Sequence, residues 1–465
     1  MLTYNFENVS GVLYEYIYRC IKEDIISGII KPGEKLPSKR TFARNHGIST
    51  ITIQNAYDQL ISEGYVYTIE KKGYYVAQIK DIPTIQRESK VKYDIRIPKI
   101  KTYKYDLSGN QMNVANFPFS IWAKLTREVL SEKMDELMTK SPTSGIYELR
   151  CAISEHLKSF RGMVVDPDQI VIGAGTEYLY GILVQLMGKD RKYAIENPGY
   201  KKLVNIYGQQ GIKPVYADID ECGLSIEGLN QSGAEIAHIC PNHHFPTGIT
   251  MPASRRYEML SWANAASERY IIEDDYDSEF RLNGKPLPTL FSIDSSEKVV
   301  YMNTFSKSLT QTIRLSYMVL PVCLANKFYK EFSFLSCTVS NFEQYVLAEF
   351  INRGYLEKHI NRMRLYYMRR RKSVLSILSK SSLGSRCKVI DNDSGLHFIM
   401  ELDTSLKDEE LKQRLLQKDM KIIALSEYYL TNSNRKEHNY ILNYSNVDLE
   451  LLPEACERIY ECISV

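Results

Sequence analysis

The chain has 465 residues, of which 44% are hydrophobic and 25% are charged. One hydrophobic core stops growing at roughly 250–300 residues, so this length predicts two or three domains. The composition excludes disorder over most of the chain. Lys and Arg total 59 against 56 Asp and Glu. A net charge of +3 does not by itself indicate a nucleic-acid-binding protein, so local charge has to be examined.

Cysteine spacing and hydropathy indicate a cytoplasmic protein with no membrane partner. The nine cysteines are odd in number and form no C-x-x-C pair, which argues against a disulfide framework and a zinc ribbon. The first residues lack the pattern of an export leader, and no apolar run reaches the ~18 residues of a membrane span. Cys240, His243 and His244 lack a fourth ligand, so we expect no metal site there.

Residues 1–77 have the pattern of a winged helix-turn-helix domain. Apolar positions 13, 17, 21 and 25 predict a first helix. Ser38 precedes a second short helix that ends at Gly47, and Ser49 precedes a third that ends at Gly64. The alternating runs YVYTIE and YYVA flank Lys71-Lys72-Gly73 and predict a hairpin, the wing.

The start of the third helix is the segment that such a domain places in the major groove. Ser49, Thr50, Thr52 and Gln54 are polar and short enough to reach base edges and phosphates there. Residues 31–45 hold five Lys or Arg against one Glu, which suits phosphate contact. On this pattern alone, a small helical module that binds protein remains an alternative.

The rest of the chain divides into a linker and an α/β region. Residues 78–104 show no sustained period and carry eight Lys or Arg against three Asp or Glu, which predicts an exposed linker. From 105 to 465, apolar strands alternate with helical stretches, which predicts a parallel α/β sheet. The segments SGLHFIMEL (394–402) and NYILNYS (439–445) predict a smaller C-terminal α+β lobe.

Three motifs in the α/β region occur in an informative order. The small residues of GAGTE (173–177) precede a helix, where free N–H groups can bind an anion. The strand in IIEDDYDSEF ends in acids, and a carboxylate there can hold a protonated pyridine nitrogen. We expect its flanking acids, Glu273 and Asp275, to face solvent or cap neighbouring turns. In TFSKSLTQTIRLSY, Lys307 can form a Schiff base with an aldehyde, and Arg314 can bind phosphate. Taken singly, these motifs also fit a helix cap, an acidic turn and a surface lysine.

The N-terminal region resembles the GntR family of winged helix-turn-helix regulators. The resemblance lies in IISGIIKPGEKLPSKRTFARNHGISTITIQNAYDQLISEGYV, followed by KKGYYV. It implies the following contacts with double-stranded operator DNA: Ser38, Arg40 and Arg44 to phosphates, Ser49, Thr50 and Thr52 in the groove, and Lys72 and Gly73 in the wing. Many members have arginine at the position of Thr50, so this chain lacks one bidentate guanine contact.

Residues 105–465 resemble the fold-type I aminotransferases, and the whole chain resembles the MocR/GabR subfamily of GntR regulators, which fuses the two domains. The matching motifs include SGIYELRCAISEHLKSFRG, ENPGY, PNHHFPTG, IIEDDYDSEFR and NTFSKSLTQTIRLSY. The resemblance implies pyridoxal 5'-phosphate as the cofactor. The implied contacts are Lys307 as the Schiff-base lysine, Asp274 on the pyridine nitrogen, Tyr276 on the ring hydroxyl, Tyr200 stacked on the ring, and Gly175, Thr176, Ser306 and Arg314 around the phosphate.

Departures from the aminotransferase pattern mean that the sequence does not identify the effector. Phe245 replaces the usual asparagine before Pro-Thr-Gly, and Asn443 stands where a carboxylate-binding arginine is usual. Lys202 replaces an arginine of GabR-like members, which keeps a cation but loses the planar fork. Arg435, near the last strand, is a further candidate for the missing cation.

The sequence therefore predicts a regulator that controls operator binding or transcription. A small amine or amino acid, or pyridoxal phosphate itself, would be sensed through Lys307. The resemblance implies a head-to-tail homodimer that reads two half-sites. It does not imply an enzyme, although residual half-transamination is possible. The alternatives are an active class I aminotransferase that carries a DNA-binding module, and a regulator whose large domain only dimerises.

Overall fold

The computed structural model of the chain describes residues 4, 11–79, 95–98, 101–109, 114–282, 287–390, 395–431 and 435–464. Contacts divide the chain into two compact units, Met1–Lys99 and Ile100–Val465. The predicted linker, 78–104, spans this division, and its residues 80–94 and 99–100 lie outside the described part. No helix in the described ranges is long and apolar enough to cross a bilayer.

The N-terminal unit consists of three helices and a hairpin: α1 (Leu13–Ile26), α2 (Lys39–His46), α3 (Thr50–Ser62), β1 (Val66–Ile69) and β2 (Gly73–Val76). The strands pair antiparallel, with Val66 opposite Val76. The apolar residues that recur along the sequence form the core, because one face of each helix is buried in a cluster that the helices share with the hairpin. The buried core residues include Ile17, Ile21, Ile25, Phe42, Ile53, Ala56, Tyr57, Leu60, Val66 and Val76.

Serine side chains cap the starts of α2 and α3. Ser38 Oγ accepts a hydrogen bond from the Thr41 N–H at 3.1 Å, and Ser49 Oγ accepts one from the Thr52 N–H, also at 3.1 Å. Each hydroxyl satisfies a backbone donor that the first turn of a helix leaves unpaired. The predicted helix starts are therefore confirmed, and the turn consists of residues 47–49.

The C-terminal unit alternates strands and helices over most of its length. Its strands are β3 (Tyr105–Asp106), β4 (Ile170–Gly173), β5 (Tyr193–Asn197), β6 (Val215–Asp220), β7 (Gly223–Leu224), β8 (Ile236–Ile239), β9 (Tyr270–Asp274), β10 (Val299–Thr304), β11 (Ser316–Val319), β12 (Cys387–Ile390), β13 (His397–Leu402), β14 (Met420–Lys421), β15 (Ile423–Ala424) and β16 (Asn439–Asn443).

The helices of the C-terminal unit are α4 (Phe119–Glu132), α5 (Met134–Met138), α6 (Tyr147–Arg161), α7 (Thr176–Met187), α8 (Lys201–Gln209), α9 (Ile226–Ser232), α10 (Ala253–Asn264), α11 (Leu290–Ile293), α12 (Phe305–Ser308), α13 (Val322–Phe332), α14 (Asn341–Asn352), α15 (Tyr355–Lys380), α16 (Asp408–Gln417) and α17 (Leu452–Ile463). Short 3-10 turns lie at Val114–Asn116, Pro167–Gln169, Ser278–Phe280, Gln311–Ile313, Ser382–Arg386 and Leu425–Tyr428.

The main sheet is mixed rather than parallel. Within the described residues its order is β4-β11-β10-β9-β8-β5-β6-β7. Strands β10, β9, β8, β5 and β6 run parallel, whereas β11 is antiparallel to β10 and β4, and β7 is antiparallel to β6. The predicted parallel sheet is therefore confirmed for these five strands, and the prediction was wrong at β11 and at the short strand β7. Residues 305–315 contain only short turns, and a parallel return needs a longer crossover.

A smaller α+β lobe follows the main sheet, as predicted. Its four-stranded sheet has the order β12-β13-β16-β15 and is antiparallel throughout. Helices α15, α16 and α17 contribute buried apolar side chains to the same core as this sheet. Strand β3 pairs in parallel with β14, which ties the start of the C-terminal unit to the lobe.

The register of the central strands positions the chemistry. In the parallel pair β9–β10, Asp274 lies beside Met302, and β10 continues into α12, which carries Lys307. Parallel strands end at the same sheet edge, where α/β proteins place their ligands. The acidic motif and the lysine motif therefore meet at one edge.

Candidate functional site

A cavity of about 300 Å³ opens at this edge of the main sheet. It brings together residues from each of the three predicted motifs. Residues that line it include Thr176, Glu177, Tyr180, Glu196, Tyr200, Lys202, His238, Cys240, Phe245, Asp274, Tyr276, Thr304, Ser306, Lys307, Gln311 and Arg314.

Lys307 is the less exposed of the two lysines that line the cavity. It lies in α12, the single helical turn that follows β10. Burial lowers the pKa of Lys307 to about 8, and the negative charge of Asp277 opposes part of this shift. Burial has this sign because removal from water disfavours the ammonium ion. More of the Lys307 amine is therefore neutral near physiological pH than is the case for an exposed lysine, and the neutral amine is the form that attacks an aldehyde.

Asp274 presents one unpaired carboxylate oxygen within the buried site. Tyr180 donates its hydroxyl hydrogen to Oδ2, and His238 Nε2 lies 3.5 Å from the same oxygen. Oδ1 is buried and has no hydrogen-bond partner among the described residues. A buried acceptor of this kind is costly unless a donor reaches it. A protonated pyridine nitrogen is such a donor, so Asp274 fits the predicted cofactor.

A cationic cradle lies at the start of α7. Gly175, the residue before this helix, has a φ of +91°, and a Cβ atom there would overlap the Arg314 guanidinium. The arginine can therefore approach the helix N-terminus only because residue 175 is glycine. Thr176 and Ser306 line the same cavity. Backbone N–H groups, hydroxyls and a guanidinium are suitable partners for a phosphate.

Glu177 lies between two cations at the cavity. Arg314 Nη2 is 2.5 Å from Glu177 Oε2, and the Lys202 ammonium pairs with the other carboxylate oxygen. Hydrogen bonds from Lys202 and Arg314 hold the pKa of Glu177 below its usual value, although partial burial opposes them. Glu177 therefore pairs with two cations that could otherwise bind an anionic ligand.

Aromatic rings form another wall of the cavity. The ring of Tyr200, which is 41% exposed, contacts Phe245 edge-on at 5.9 Å between centroids. The Tyr276 hydroxyl lies 3.1 Å from His243 Nδ1. Burial raises the pKa of both tyrosines, that of Tyr200 to about 12, so both stay neutral hydrogen-bond donors.

The three candidates for binding an effector's acid group lie in different surroundings. Lys202 lines the cavity, whereas Arg435 and Asn443 are not among its described lining residues. Arg435 is exposed. Asn443 is buried, and its amide oxygen accepts hydrogen bonds from the N–H and hydroxyl of Ser445 at 3.0 and 2.7 Å. Lys202 is therefore the candidate that the cavity favours.

The acids on either side of Asp274 correct one expectation. We expected Glu273 and Asp275 to face solvent or to cap neighbouring turns; both are buried, so the first alternative was wrong. Glu273 does cap a turn, because it accepts the N–H groups of Leu290 and Phe291 at 3.0 Å each. Asp275 pairs with Arg161, and this ion pair holds the pKa of Asp275 below its usual value against the opposing effect of burial.

Several contributing residues could not be assigned from the motifs. Tyr180, which holds Asp274, lies one helical turn beyond the GAGTE motif. His243 Nδ1 is 2.9 Å from Asp277 Oδ2, which links the PNHHFPTG and IIEDDYDSEF motifs. His244 contacts the Thr247 hydroxyl, and Cys240 donates its N–H to Glu196. In the described part of the chain, no group of three or more His, Cys, Asp or Glu side chains has the geometry of a metal site.

The predicted DNA-contacting residues lie around the helix-turn-helix. Arg40, Arg44, Thr50 and Lys72 are exposed, as are the cap residues Ser38 and Ser49. Thr52 is half-buried, and its hydroxyl lies 2.9 Å from Ser49 Oγ. Gly73 begins β2 and packs against the Lys35 side chain. The predicted contacts with DNA themselves stay a prediction.

Comparison with known proteins agrees with both units. The aminotransferase class I and II family model matches residues 102–459, and the gntR family model of bacterial regulatory proteins matches residues 13–76. The uncharacterized HTH-type transcriptional regulator YdeL of Bacillus subtilis is 34% identical over 426 residues, which cover 90% of each chain. The probable rhizopine catabolism regulatory protein MocR of Rhizobium meliloti is 27% identical over 456 residues, 95% of this chain and 92% of its own.

Solved structures support the same fold. A kynurenine aminotransferase of Pyrococcus horikoshii superimposes with a TM-score of 0.67 at 22% identity, over 77% of this chain and 90% of its own. The fold and cavity thus define an aminotransferase class I and II domain joined to a GntR helix-turn-helix domain. The chain belongs to the MocR/GabR subfamily of GntR transcriptional regulators.

Proposed function

We propose that this protein is a cytoplasmic transcription regulator that binds operator DNA through its N-terminal unit and pyridoxal 5'-phosphate through Lys307. A small amine or amino acid, or the cofactor itself, controls its binding to the operator or its effect on transcription. The observation that carries the proposal is one cavity lined by Lys307, Asp274 and Arg314, whose chemistry matches three parts of one cofactor.

The residues present fit that cofactor part by part. Bound pyridoxal phosphate supplies an aldehyde that condenses with amines and a pyridinium ring that withdraws electrons. Lys307 offers a half-buried amine whose pKa is lowered to about 8. Asp274 offers an oxygen without a described partner, and Arg314 offers a cation beside the start of α7. A domain used only for dimerisation would need none of these groups.

The effector class follows from the same cavity. An effector with an amino group would take the place of the Lys307 amine at the aldehyde carbon of the cofactor. The released Lys307 amine would then take up a proton at Nζ. Lys202, at the cavity wall, offers a cation for an acid group of that effector. An amino acid would thus use both the Lys307 position, through its amino group, and Lys202, through its acid group. A simple amine would use only the Lys307 position.

Regulation requires the effector to bind two states of the protein with different affinity. We propose that the protein acts as a head-to-tail homodimer whose two helix-turn-helix units read two half-sites. A two-fold arrangement of this type sets the half-site spacing to the geometry of the dimer.

An active aminotransferase is the competing proposal, and two positions count against it. Phe245 replaces an amide that could bond the cofactor ring. Asn443 stands where a carboxylate-binding arginine is usual, and its amide oxygen accepts hydrogen bonds from Ser445. Sustained transfer of amino groups from an amino acid to a keto acid, at ordinary enzymatic rates of 1 s⁻¹ or more, would favour the enzyme.

The test compares Lys307→Ala with Lys330→Ala, which removes an exposed lysine of α13. Purified protein and the Lys330 variant should show a visible absorbance that borohydride removes, and both should respond to effector in DNA binding. The Lys307 variant should lack the borohydride-sensitive absorbance and the effector response while still binding operator DNA. A colourless protein that ignores added cofactor would refute the cofactor proposal.

A further inference from the structure

Helix α3 contains no lysine or arginine, which limits the bases that it can specify. Its sequence is TITIQNAYDQLIS. Arg and Lys are the side chains that most often specify guanine, through its O6 and N7 atoms. The exposed basic residues of the N-terminal unit lie outside α3 and include Arg40 and Arg44 on α2 and Lys71 and Lys72 at the hairpin turn. Cations at these positions suit phosphate contact.

The exposed face of α3 has a definite chemistry. Ile51, Gln54 and Asn55 are exposed, and their spacing of three and four residues places them on one side of the helix. Ile51 is 71% exposed, a large apolar side chain flanked by polar ones. The opposite side of the helix is buried in the core.

The hydroxyls of Ser49 and Thr52, two of the three at the start of α3, are already engaged with each other, whereas Thr50 is exposed. Ser49 Oγ accepts the Thr52 N–H at 3.1 Å and lies 2.9 Å from Thr52 Oγ1. This reciprocal contact holds the first turn of the helix. Sequence discrimination therefore falls to the neighbouring exposed side chains, which include the face formed by Ile51, Gln54 and Asn55.

We infer that the exposed face of α3 reads an A·T step in the major groove of each operator half-site. Ile51 would contact a thymine methyl group, and Gln54 would hydrogen-bond an adenine. Thymine is the base that presents a methyl group in the groove, and the amide of glutamine matches the N6 donor and N7 acceptor of adenine. The surrounding cations, on α2 and the hairpin turn, complement the phosphates that flank this step. The inference rests on the proposed operator binding and goes beyond it by naming the bases.

The first experiment selects bound duplexes from a random library with the full-length protein. The enriched half-site should contain an A·T step that footprinting places opposite α3. Enrichment of G·C pairs at that step would overturn the inference and leave operator binding intact. Failure to enrich any sequence would instead overturn the proposed function, and the inference with it.

The second experiment changes single atoms of the enriched duplex. Replacing the contacted thymine by uracil removes only the methyl group, and binding should weaken about fourfold, which is the value of one buried methyl group. Replacing the adenine by 7-deazaadenine removes the N7 acceptor and should weaken binding at least about fivefold.

Matched variants assign these losses to side chains. Ile51→Ala should bind thymine and uracil duplexes equally, and Gln54→Ala should no longer distinguish adenine from 7-deazaadenine. Ile29→Ala is the control, because Ile29 is 69% exposed and lies outside α3; this variant should keep the full discrimination. If Ile51→Ala still preferred thymine as strongly as the unaltered protein, Ile51 would not read the methyl group.

Discussion

Tyr180 and Asp274 are hydrogen-bonded inside the C-terminal unit, and the bond occupies one oxygen of the carboxylate while the other keeps no described partner. Both side chains are buried. The tyrosine therefore fixes the orientation in which Asp274 can receive a donor. The tyrosine thus positions the aspartate, and the aspartate is the residue that would contact the cofactor.

Asp274→Asn should weaken the binding of pyridoxal phosphate roughly tenfold or more, because a hydrogen bond to a charged group contributes about 1.5–3 kcal/mol. Tyr180→Phe should weaken it less, since this change leaves the Asp274 carboxyl group in place. Equilibrium dialysis followed by visible absorbance measures both. Equal affinity of the Asn variant and the unaltered protein would contradict the assigned role of Asp274.

The rate at which cofactor-free protein takes up pyridoxal phosphate should rise with pH, reach half its maximum near pH 8 and then level off, because the reactive form of Lys307 is the neutral amine and burial lowers its pKa to about 8. An exposed lysine, with an ordinary pKa of 10.5, would give a rate that keeps rising across this range. Stopped-flow absorbance at a series of pH values distinguishes the two. A rate that continues to climb beyond pH 9 would place the amine in water.

Glu177→Gln should strengthen the binding of pyridoxal phosphate, and of inorganic phosphate alone, by up to about fivefold. The carboxylate competes for Arg314 and Lys202, and partly exposed ion pairs of this kind are worth about 0.2–1 kcal/mol. Isothermal titration with phosphate gives the affinity without relying on the chromophore. Weaker phosphate binding in the Gln variant would mean that Glu177 holds the cations in place for the ligand.

Arg161→Met should destabilise the C-terminal unit by about 3–5 kcal/mol, because it leaves the Asp275 carboxylate buried without its cation. The two side chains are only 3% and 1% exposed. Lys388→Met is the control, since its pair with Glu401 is largely in solvent and should cost less than about 1 kcal/mol. Urea unfolding followed by circular dichroism measures both, and similar midpoints for the two variants would contradict the argument.

Arg44→Ala should weaken binding to all DNA sequences alike and reduce the slope of log affinity against log salt by about one, because one phosphate contact is lost. Arg19→Ala, which removes an exposed arginine of α1, is the matched control and should leave the slope unchanged. Fluorescence anisotropy at several salt concentrations provides the slopes. A slope in the Arg44 variant that matches the control would remove Arg44 from the phosphate contacts.

Local rules predicted what depends on near neighbours in the chain. Ser38 and Ser49 cap helices because each hydroxyl reaches a backbone N–H three residues ahead, so the sequence alone contains both partners. The central strands were predictable for a similar reason, because a buried strand is a short apolar run. The meeting of Asp274 and Lys307 was implied by the aminotransferase resemblance, and its physical reason is that parallel strands end at one edge of a sheet.

What escaped prediction depends on distant partners. Asp275 is buried because Arg161, 114 residues earlier, neutralises it, and no local pattern identifies that pairing. The direction of β11 depends on how short the path from β10 is once α12 has formed. The contact of Tyr180 with Asp274 joins residues 94 positions apart, which periodicity cannot reveal.

The close approach of Arg314 to Gly175 has a practical consequence. A single added carbon at residue 175 would push the guanidinium aside while every charged and titratable group of the cavity kept its identity. Alanine at this position should thus weaken the binding of the proposed cofactor while the net charge of the protein stays the same. Placed in the chromosome, such an allele would separate the effects of DNA occupancy from those of the proposed metabolite sensing.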